Sequence, residues 1–296
     1  MSGGATKLRV AVLCSDQPHH RYLVHALRAR FDVAAVVVEP GDARVRRLRH
    51  AGAWRDWAWA LYHGARRRWT GLEAYRNAQF APPSTETVGP FGTHEVAWIN
   101  DPAVPALVSA LRPDVTVVIG TSILRPSVLS ALGPVVLNVH GGWLPEYRGN
   151  HCFFFALYAG DFDRVGSTIH FVDGGVDTGD VVARVAPPIH PGDNAESLYC
   201  RAERLAIQHL VGLLEGYERT GDLPRHPQPP GGPAFRTRDR KPHHDVLFWL
   251  RRRTGRLSLP HRPAPRLHVE DDDGDGDRRE GGRAPAPPFV PPAFVA

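Results

Sequence analysis

Short valine-rich runs near the start of the chain constrain its fold more than any other feature. Residues 8–14 and 32–38 are apolar and short, as expected of strands buried on both faces of a sheet. Between them, Tyr22, Leu23 and Leu27 lie on one face of a segment with helical periodicity. A strand, a helix and a strand in this order predict a βαβ unit with parallel strands.

The same alternation continues along most of the next 190 residues. A helical pattern, capped at Asp101 and with an apolar stripe from Val104 to Leu111, precedes a buried strand at 114–119. A short helix at 126–132 precedes a strand at 135–140. Two further strand patterns and a long helix capped by Asn194 follow. The sequence predicts an α/β, Rossmann-like fold with a mostly parallel sheet flanked by helices.

Proline and charge divide the C-terminal part of the chain. Five of the ten residues at 224–233 are proline, which interrupts both helices and strands. We therefore expect a catalytic domain over 7–223, followed by a Pro-rich linker and a short basic, partly ordered extension over 224–262. Residues 263–296 are acidic and then rich in proline and alanine, so we expect them to be disordered.

Residues 44–76 hold nine arginines and two acids, a net charge of +7, together with four of the seven tryptophans. This Arg/Trp-rich insert has three interpretations: a helical cover for a substrate site, a dimer surface, or a patch that binds nucleic acid or an anionic membrane. We favour the first two, because no recognised nucleic-acid-binding module accompanies the patch. Nucleic acid is therefore not an expected partner, and a homodimer remains open.

Targeting signals and metal motifs are not apparent. The longest apolar runs are far shorter than the roughly 20 residues that span a bilayer, and residues 1–7 do not resemble a signal peptide. The three cysteines lack CxxC spacing, the histidines lack HExxH spacing, and the aspartates of 173–180 lack the calcium-loop pattern. We expect a cytoplasmic protein without membrane association, disulfides or a bound metal.

Asn138 and His140 are the strongest candidates for chemistry. They are two residues apart, so on a strand they point to the same side, and they lie at its carboxyl end, where α/β sheets place ligands. Acyl transfer to an amine needs donors for the developing oxyanion and a group that moves protons near neutral pH. Asp177 could orient the imidazole and favour its protonated form. Spacing alone is weak evidence in a chain with 16 histidines.

Four sequence motifs, in a fixed order along the chain, strengthen the case that these three residues are catalytic. They read NVH at 138–140, LPEYRG at 144–149, GSTIH at 166–170 and DTGD at 177–180. In composition, order and spacing they resemble the folate-dependent formyltransferases, a family that includes the methionyl-tRNA, glycinamide ribonucleotide and sugar amine formyltransferases. The likeness is strong over about 110–215.

The resemblance implies the reaction and its catalytic residues. It assigns a catalytic triad to Asn138, His140 and Asp177 and the formyl donor to 10-formyltetrahydrofolate. Asn138 and protonated His140 would stabilise the oxyanion, while Asp177 would support the imidazolium and a proton-relaying water. The expected activity is formyl transfer to a primary amine.

The resemblance also implies a binding region. The pterin would lie between 120–124 and 172–177, with lining residues Ser122, Ile123, Leu124, Val128, Val172, Gly174 and Val176. Independently of the resemblance, the positions of Tyr147, Arg148, His19 and His20 after the first and the active strands make them candidates for contact with the acceptor. Tyr147 and Arg148 could instead fix the loop after the active strand, and the two first-turn histidines could simply be exposed. For His170 we favour a structural role.

Departures from the family pattern narrow the range of acceptor molecules that we expect. Residues 14–20 lack the glycine-rich phosphate-binding turn of the purine-pathway members, and no β-barrel domain is apparent after residue 233, which disfavours glycinamide ribonucleotide and initiator tRNA. At 141–145 the chain reads GGWLP where the family usually has Ser-Leu-Leu-Pro. We expect a small-molecule acceptor: an amino sugar, a peptide or an antibiotic-like natural product.

Two rival functions remain. Water could replace the amine on the same triad, which would make the chain a 10-formyltetrahydrofolate hydrolase, although hydrolases resembling this family carry an extra N-terminal regulatory domain. Alternatively, an inactive family member could bind an anionic partner through residues 44–76. The presence of all three triad residues disfavours the inactive form.

Overall fold

A computed structural model describes residues 7–81, 94–232 and 234–268. Its strands are β1 (Arg9–Cys14), β2 (Asp32–Val38), β3 (His94–Glu95), β4 (Val115–Ile119), β5 (Val135–His140), β6 (Ser167–Phe171), β7 (Val181–Ala186) and β8 (Arg266–His268). Its α-helices are α1 (Pro18–Arg28), α2 (Gly41–His50), α3 (Trp54–Trp69), α4 (Leu72–Gln79), α5 (Ala103–Leu111), α6 (Pro126–Leu129), α7 (Cys152–Ala159), α8 (Ala195–Thr220) and α9 (Pro242–Arg253).

The eight strands form one sheet in the order β3-β2-β1-β4-β5-β6-β7-β8. The pairings from β3 to β5 are parallel, and those from β5 to β8 are antiparallel. The predicted Rossmann-like, mostly parallel sheet is confirmed. Because β1, β4 and β5 run in the same direction, their carboxyl ends meet at one edge of the sheet.

The sheet is covered by helices on both faces, as the buried strand pattern predicted. One core layer joins α1 and α8 to the sheet through residues such as Leu23, Ile207 and Leu210. The other joins α5 and α6 to the sheet through Val108 and Val128. The cap predicted for α8 is present, since the Asn194 side chain accepts hydrogen bonds from the backbone of Glu196 and Ser197.

The C-terminal part of the described chain packs on this domain. Within the predicted linker and extension, the chain forms α9 and several bridges to the domain. Disorder from residue 263 onward is wrong for 266–268, which pair with β7 as strand β8. The edge of β7 would otherwise expose unpaired backbone groups, and local composition does not reveal such a distant partner. The rest of the predicted tail, 269–296, lies outside the described residues.

The Arg/Trp-rich insert contains α3 and most of α2 and α4, and it packs against α1, α8 and the segment before α9. His63 on α3 donates a hydrogen bond to the carbonyl of Thr237, and Arg238 pairs with Asp56. The insert therefore joins the N-terminal half of the domain to the C-terminal segment. In the part of the chain that the structure describes, no helix is both long enough and apolar enough to cross a membrane.

A buried carboxyl group makes the stability of this fold depend on pH. Glu203 on α8 is 1% exposed and accepts a hydrogen bond from the Ser167 hydroxyl at 2.8 Å. Burial raises its pKa from 4.5 to about 7, despite that hydrogen bond and the positive charge of Arg76. Between these pH values the folded carboxyl keeps a proton that the unfolded chain releases, so Glu203 lowers the unfolding free energy as the pH rises.

We expect Glu203→Gln to remove this penalty. Relative to the variant, the wild type should lose on the order of 3 kcal/mol of unfolding free energy between pH 4.5 and 8. Urea denaturation of both proteins at pH 5 and at pH 8 measures this difference. A gap between the two proteins that is the same at both pH values would show that Glu203 does not titrate in this window.

Candidate active site

The carboxyl end of β5 and its neighbour β6 build the predicted site. Asn138 pairs with His170 across the two strands, and His140 is the last residue of β5. Asp177 approaches from the loop between β6 and β7. The structure therefore brings together the three side chains that the motifs assigned to catalysis, with His170 beside them.

His140 has a different partner on each ring nitrogen. Its Nε2 donates to the carbonyl of Tyr147 at 2.9 Å, and its Nδ1 lies 3.6 Å from Oδ2 of Asp177. Because Nε2 carries a proton in that hydrogen bond, Nδ1 is the ring nitrogen that faces the carboxylate. At 3.6 Å the two groups lie beyond direct hydrogen-bond distance, so Nδ1 stays available to a third group.

Asp177 is held as an anion facing two imidazoles. Burial would raise its pKa, but His140, His170 and the backbone N–H of Gly149 outweigh burial and lower the pKa below its usual value. The Gly149 N–H donates to Oδ2 at 2.8 Å, and Oδ1 lies 3.7 Å from Nε2 of His170. Asp177 has φ +53°, a left-handed conformation that non-glycine residues adopt only when their surroundings hold it.

His170 orients the amide of Asn138. Its Nδ1 donates to the carbonyl of Phe171 at 2.7 Å, which leaves Nε2 to accept from Nδ2 of Asn138 at 3.0 Å. Burial lowers the pKa of His170 to about 4, so the ring is neutral at neutral pH. This is the structural role we favoured from the sequence. It leaves Asn138 with a second amide N–H directed away from His170.

The GGW departure from the family pattern has a steric reason at Gly142. A Cβ at this position would lie 2.4 Å from the carbonyl oxygen of Tyr147 and 2.5 Å from Nε2 of His140. Both distances are far below normal contact. Gly142 therefore lets the chain turn tightly enough for the Tyr147 carbonyl to reach the His140 ring.

Gln228, which the sequence patterns did not reveal, contacts the loop that carries Asp177. From the Pro-rich segment, its Nε2 donates to the carbonyl oxygens of Asp177 at 3.2 Å and Gly179 at 2.5 Å. No local signal marks this glutamine, because its partners lie about fifty residues upstream. The segment that we interpreted as a domain boundary instead supports the backbone of Asp177.

The same segment supports the loop after β5. The backbone of Phe235 exchanges hydrogen bonds with Arg148 and Asn150 at 2.9 and 2.8 Å, and the Phe235 ring stacks on Phe155 of α7. Arg148 donates through Nε to the carbonyl of Gly232 at 3.1 Å. Both loops beside His140 are thus bonded to this segment, through Gln228, Gly232 and Phe235.

We expect Gln228→Glu to lower kcat about tenfold, because a carboxylate offers no donor to the two carbonyl oxygens and a hydrogen bond contributes about 1 kcal/mol. The acceptor KM should stay close to that of the wild type, since Gln228 acts through Asp177. Gln208→Glu, on the exposed face of α8, is the matched control. A rise in KM with unchanged kcat would contradict a positioning role.

The residues that we predicted to bind the folate donor lie on two segments near this edge of the sheet, 120–124 and 172–177. Ser122 is tied to the buried Glu39, whose carboxylate accepts from the Ser122 N–H and hydroxyl, both at 2.9 Å. Arg47 pairs with Glu39 at 2.5 Å and donates to the Ser122 hydroxyl at 2.7 Å. No sequence pattern predicted this network, which anchors the 120–124 segment.

Apolar side chains on both segments suit a flat ring. Ile123 is 68% exposed and Val176 is 36% exposed, although both are large and apolar. Gly174 is exposed, and a Cβ there would meet nothing within 4 Å. Leu124 and Val172 pack at the margin of the core, whereas Val128 is fully buried and supports this margin from beneath.

The four residues predicted to contact the acceptor have internal partners. Tyr147 is buried, and its hydroxyl donates to Asp161 at 3.0 Å. Arg148 donates to Gly232, as described above. His19 and His20 are buried rather than exposed, with contacts to the Tyr199 hydroxyl and to Ser15. Within residues 7–81, 94–232 and 234–268, no group of three or more His, Cys, Asp or Glu could hold a metal ion.

Comparison with known proteins defines the class of protein to which this chain belongs. The model of the formyl transferase family matches residues 64–214, which is just over half of the chain. The chain therefore belongs to the formyl transferase family, and the sheet and site described above lie largely within the matched region. The family resemblance inferred from the four motifs is confirmed.

Among its relatives are methionyl-tRNA formyltransferases. That of Ralstonia nicotianae is 32% identical over 194 residues, covering 64% of this chain and 57% of the relative. That of Chlorobium chlorochromatii is 35% identical over 121 residues, covering 41% of this chain and 38% of the relative. The chain therefore aligns with less than two thirds of the length of either relative.

Solved structures share the fold. A 4-N formyltransferase from Francisella tularensis aligns with a TM-score of 0.51 and 13% identity, covering 84% of this chain and 88% of that chain. A sugar N-formyltransferase from Shewanella gives the same score and identity, with 83% and 87% covered. At this level of identity the similarity concerns the fold alone.

Proposed function

We propose that this chain transfers a formyl group from 10-formyltetrahydrofolate to a primary amine of a small molecule. The observation that carries the proposal is the convergence of Asn138, His140 and Asp177 at the carboxyl end of β5, with Nδ1 of His140 facing the carboxylate at 3.6 Å. Family membership supports formyl transfer as the reaction. The exposed apolar side chains of Ile123 and Val176 support a donor whose folate ring packs against them.

Each triad residue has a separate task. The second N–H of Asn138 and the Nδ1–H of protonated His140 donate to the formyl oxygen as negative charge develops there. Asp177 stabilises the imidazolium and, through a water, accepts the proton that the amine loses. A bond forms between the amine nitrogen and the formyl carbon, the bond from that carbon to N10 of the folate breaks, and N10 receives the proton as tetrahydrofolate leaves.

The acceptor that we propose is an amino sugar, a peptide or an antibiotic-like natural product. The turn after β1 has no glycine and carries Asp16, which disfavours the phosphate of glycinamide ribonucleotide at that position. The solved sugar N-formyltransferase shares the fold and supports a small-molecule acceptor. Cys14, Cys152 and Cys200 are free thiols in the structure, which suits the reducing cytoplasm as the place of action.

Untargeted mass spectrometry tests the proposal with an acceptor that is still unidentified. A lysate supplied with the enzyme and 10-formyltetrahydrofolate should yield a new metabolite heavier by one formyl group. The same lysate supplied with Asp177→Asn protein should not. A product pattern identical in the two samples would contradict catalysis by this site.

A further inference from the structure

Arg47, which the Arg/Trp-rich insert carries on α2, contacts the 120–124 segment of the proposed folate site. Its Nη1 pairs with Oε1 of Glu39 at 2.5 Å, and its Nη2 donates to the Ser122 hydroxyl at 2.7 Å. The Ser122 hydroxyl donates to the same Glu39 oxygen at 2.9 Å. Each of the three side chains is therefore bonded to the other two. We call these three side chains the Arg47 network.

The Arg47 network contains a buried carboxylate. The side chain of Glu39 is 1% exposed, whereas that of Arg47 is 30% exposed. The second oxygen of Glu39 accepts from the Ser122 N–H at 2.9 Å. A buried charge is unfavourable unless an opposite charge and hydrogen-bond donors face it. Arg47 supplies the opposite charge, and it therefore stabilises the group to which both the backbone and the hydroxyl of Ser122 are bonded.

Arg47 is itself held in place by contacts outside the network. Its Nη1 also donates to the carbonyl of Ala97 at 3.3 Å, and its guanidinium carbon lies 5.5 Å from the centroid of the Trp98 ring. At the start of α2, the N–H of Gly41 donates to Oδ1 of Asp16 at 3.1 Å. These contacts fix the helix and direct the Arg47 side chain toward the 120–124 segment.

A second buried side chain holds the same segment one residue further on. Asn100 donates through Nδ2 to the carbonyl of Ile123 at 3.0 Å and accepts through Oδ1 from the N–H of Arg125 at 2.6 Å. Between these bonds the Ile123 side chain is 68% exposed. The backbone around Ile123 is thus fixed by side chains from other parts of the chain, while its apolar side chain is left for a flat ring to pack against.

An ordered binding segment increases affinity, because the ligand does not have to order it on binding. Loss of the Arg47 side chain would leave the Glu39 charge buried without its cation and would remove one donor from the Ser122 hydroxyl. The bonds that fix Ser122 would weaken, and the donor would have to order the segment itself. Donor affinity would then fall although Arg47 acts only through its neighbours.

We propose that Arg47 is a positioning residue for the folate donor, which acts through Glu39 and Ser122 to hold residues 120–124 in the conformation that receives the ring. This inference rests on the proposed function, because it concerns the donor of that reaction. It gives the Arg/Trp-rich insert a role in donor binding, which the sequence patterns did not indicate.

Equilibrium titration of the full chain with tetrahydrofolate tests this role without catalysis. Arg47→Gln should raise the Kd about tenfold, the effect of one hydrogen bond to a charged group. Arg47→Lys keeps the charge but not the two-pronged contact, and it should give an intermediate Kd. Arg49→Gln, an exposed neighbour on α2, should bind as the wild type does. A wild-type Kd in both Arg47 variants, or an equal loss in Arg49→Gln, would overturn the proposal.

A second substitution separates positioning from direct contact with the donor. Glu39→Gln, added to Arg47→Gln, removes the unpaired buried charge, and its amide oxygen can still accept from the Ser122 N–H. The double variant should therefore bind tetrahydrofolate more tightly than Arg47→Gln alone. Thermal unfolding shows that each variant compared is folded. A double variant that binds no more tightly than Arg47→Gln would show that Arg47 does not act through Glu39, which would overturn the proposal.

Steady-state kinetics distinguishes failure of this inference from failure of the proposed function. With the acceptor identified, Arg47→Gln should raise the donor KM about tenfold and leave kcat and the acceptor KM close to those of the wild type. A lower kcat with an unchanged donor KM would overturn positioning but not formyl transfer. The predicted loss of tetrahydrofolate affinity, in a protein whose wild type transfers no formyl group, would overturn the proposed function but not the role of Arg47. A wild type that does not bind tetrahydrofolate would overturn both.

Discussion

Replacing His140 with alanine is expected to lower kcat about a thousandfold, because the change removes both an oxyanion donor and the group that holds the imidazolium charge beside Asp177. Binding of tetrahydrofolate should change little, since the proposed folate contacts lie on the 120–124 and 172–177 segments. Steady-state kinetics and equilibrium titration with tetrahydrofolate measure the two effects separately.

Two controls keep this result interpretable. His50→Ala removes an exposed histidine on α2 and should leave kcat and folate binding unchanged. Thermal unfolding of His140→Ala shows whether the variant is folded, because its ring is buried and bonded to Tyr147. Wild-type turnover in a folded His140→Ala protein would exclude the role proposed for His140.

Replacing Asp177 with asparagine is expected to have the second largest effect. The amide keeps the size of the carboxylate and can still accept from the Gly149 N–H, but its negative charge is lost. We expect kcat to fall about a hundredfold, because the imidazolium and the proton path both lose their support.

Asp222→Asn is the matched control for this prediction. Asp222 follows the C-terminal end of α8 and is exposed, outside both the catalytic and the folate segments. It should retain the kcat of the wild type. A wild-type kcat in a folded Asp177→Asn protein would show that the carboxylate is not needed for catalysis.

Local sequence patterns predicted the sheet and its helices well. Valine-rich runs such as β1 and β4 are buried on both faces, so their hydrophobicity is uninterrupted and short. Asn194 was recognised as a helix cap because capping depends on residues within one turn. These features are determined by neighbours in the sequence, and the sequence therefore reveals them.

Features that depend on distant contacts were missed. Gln228, Glu39 and strand β8 all act on residues far along the chain, and no periodicity or motif marks them. We interpreted the proline content of residues 224–233 as the end of the folded domain, yet Gln228 in this segment bonds to the loop that carries Asp177. Extended Pro-rich chain can still pack and accept hydrogen bonds, and here it supports the loops around His140.

The measurement that tests the central claim is the release of tetrahydrofolate by the purified protein, with and without the amine identified in the lysate. We predict that release requires the amine and equals the amount of formylated amine formed. Release at the same rate without amine would contradict the account and indicate a hydrolase. No release under either condition would contradict it in favour of a binding protein without catalytic activity.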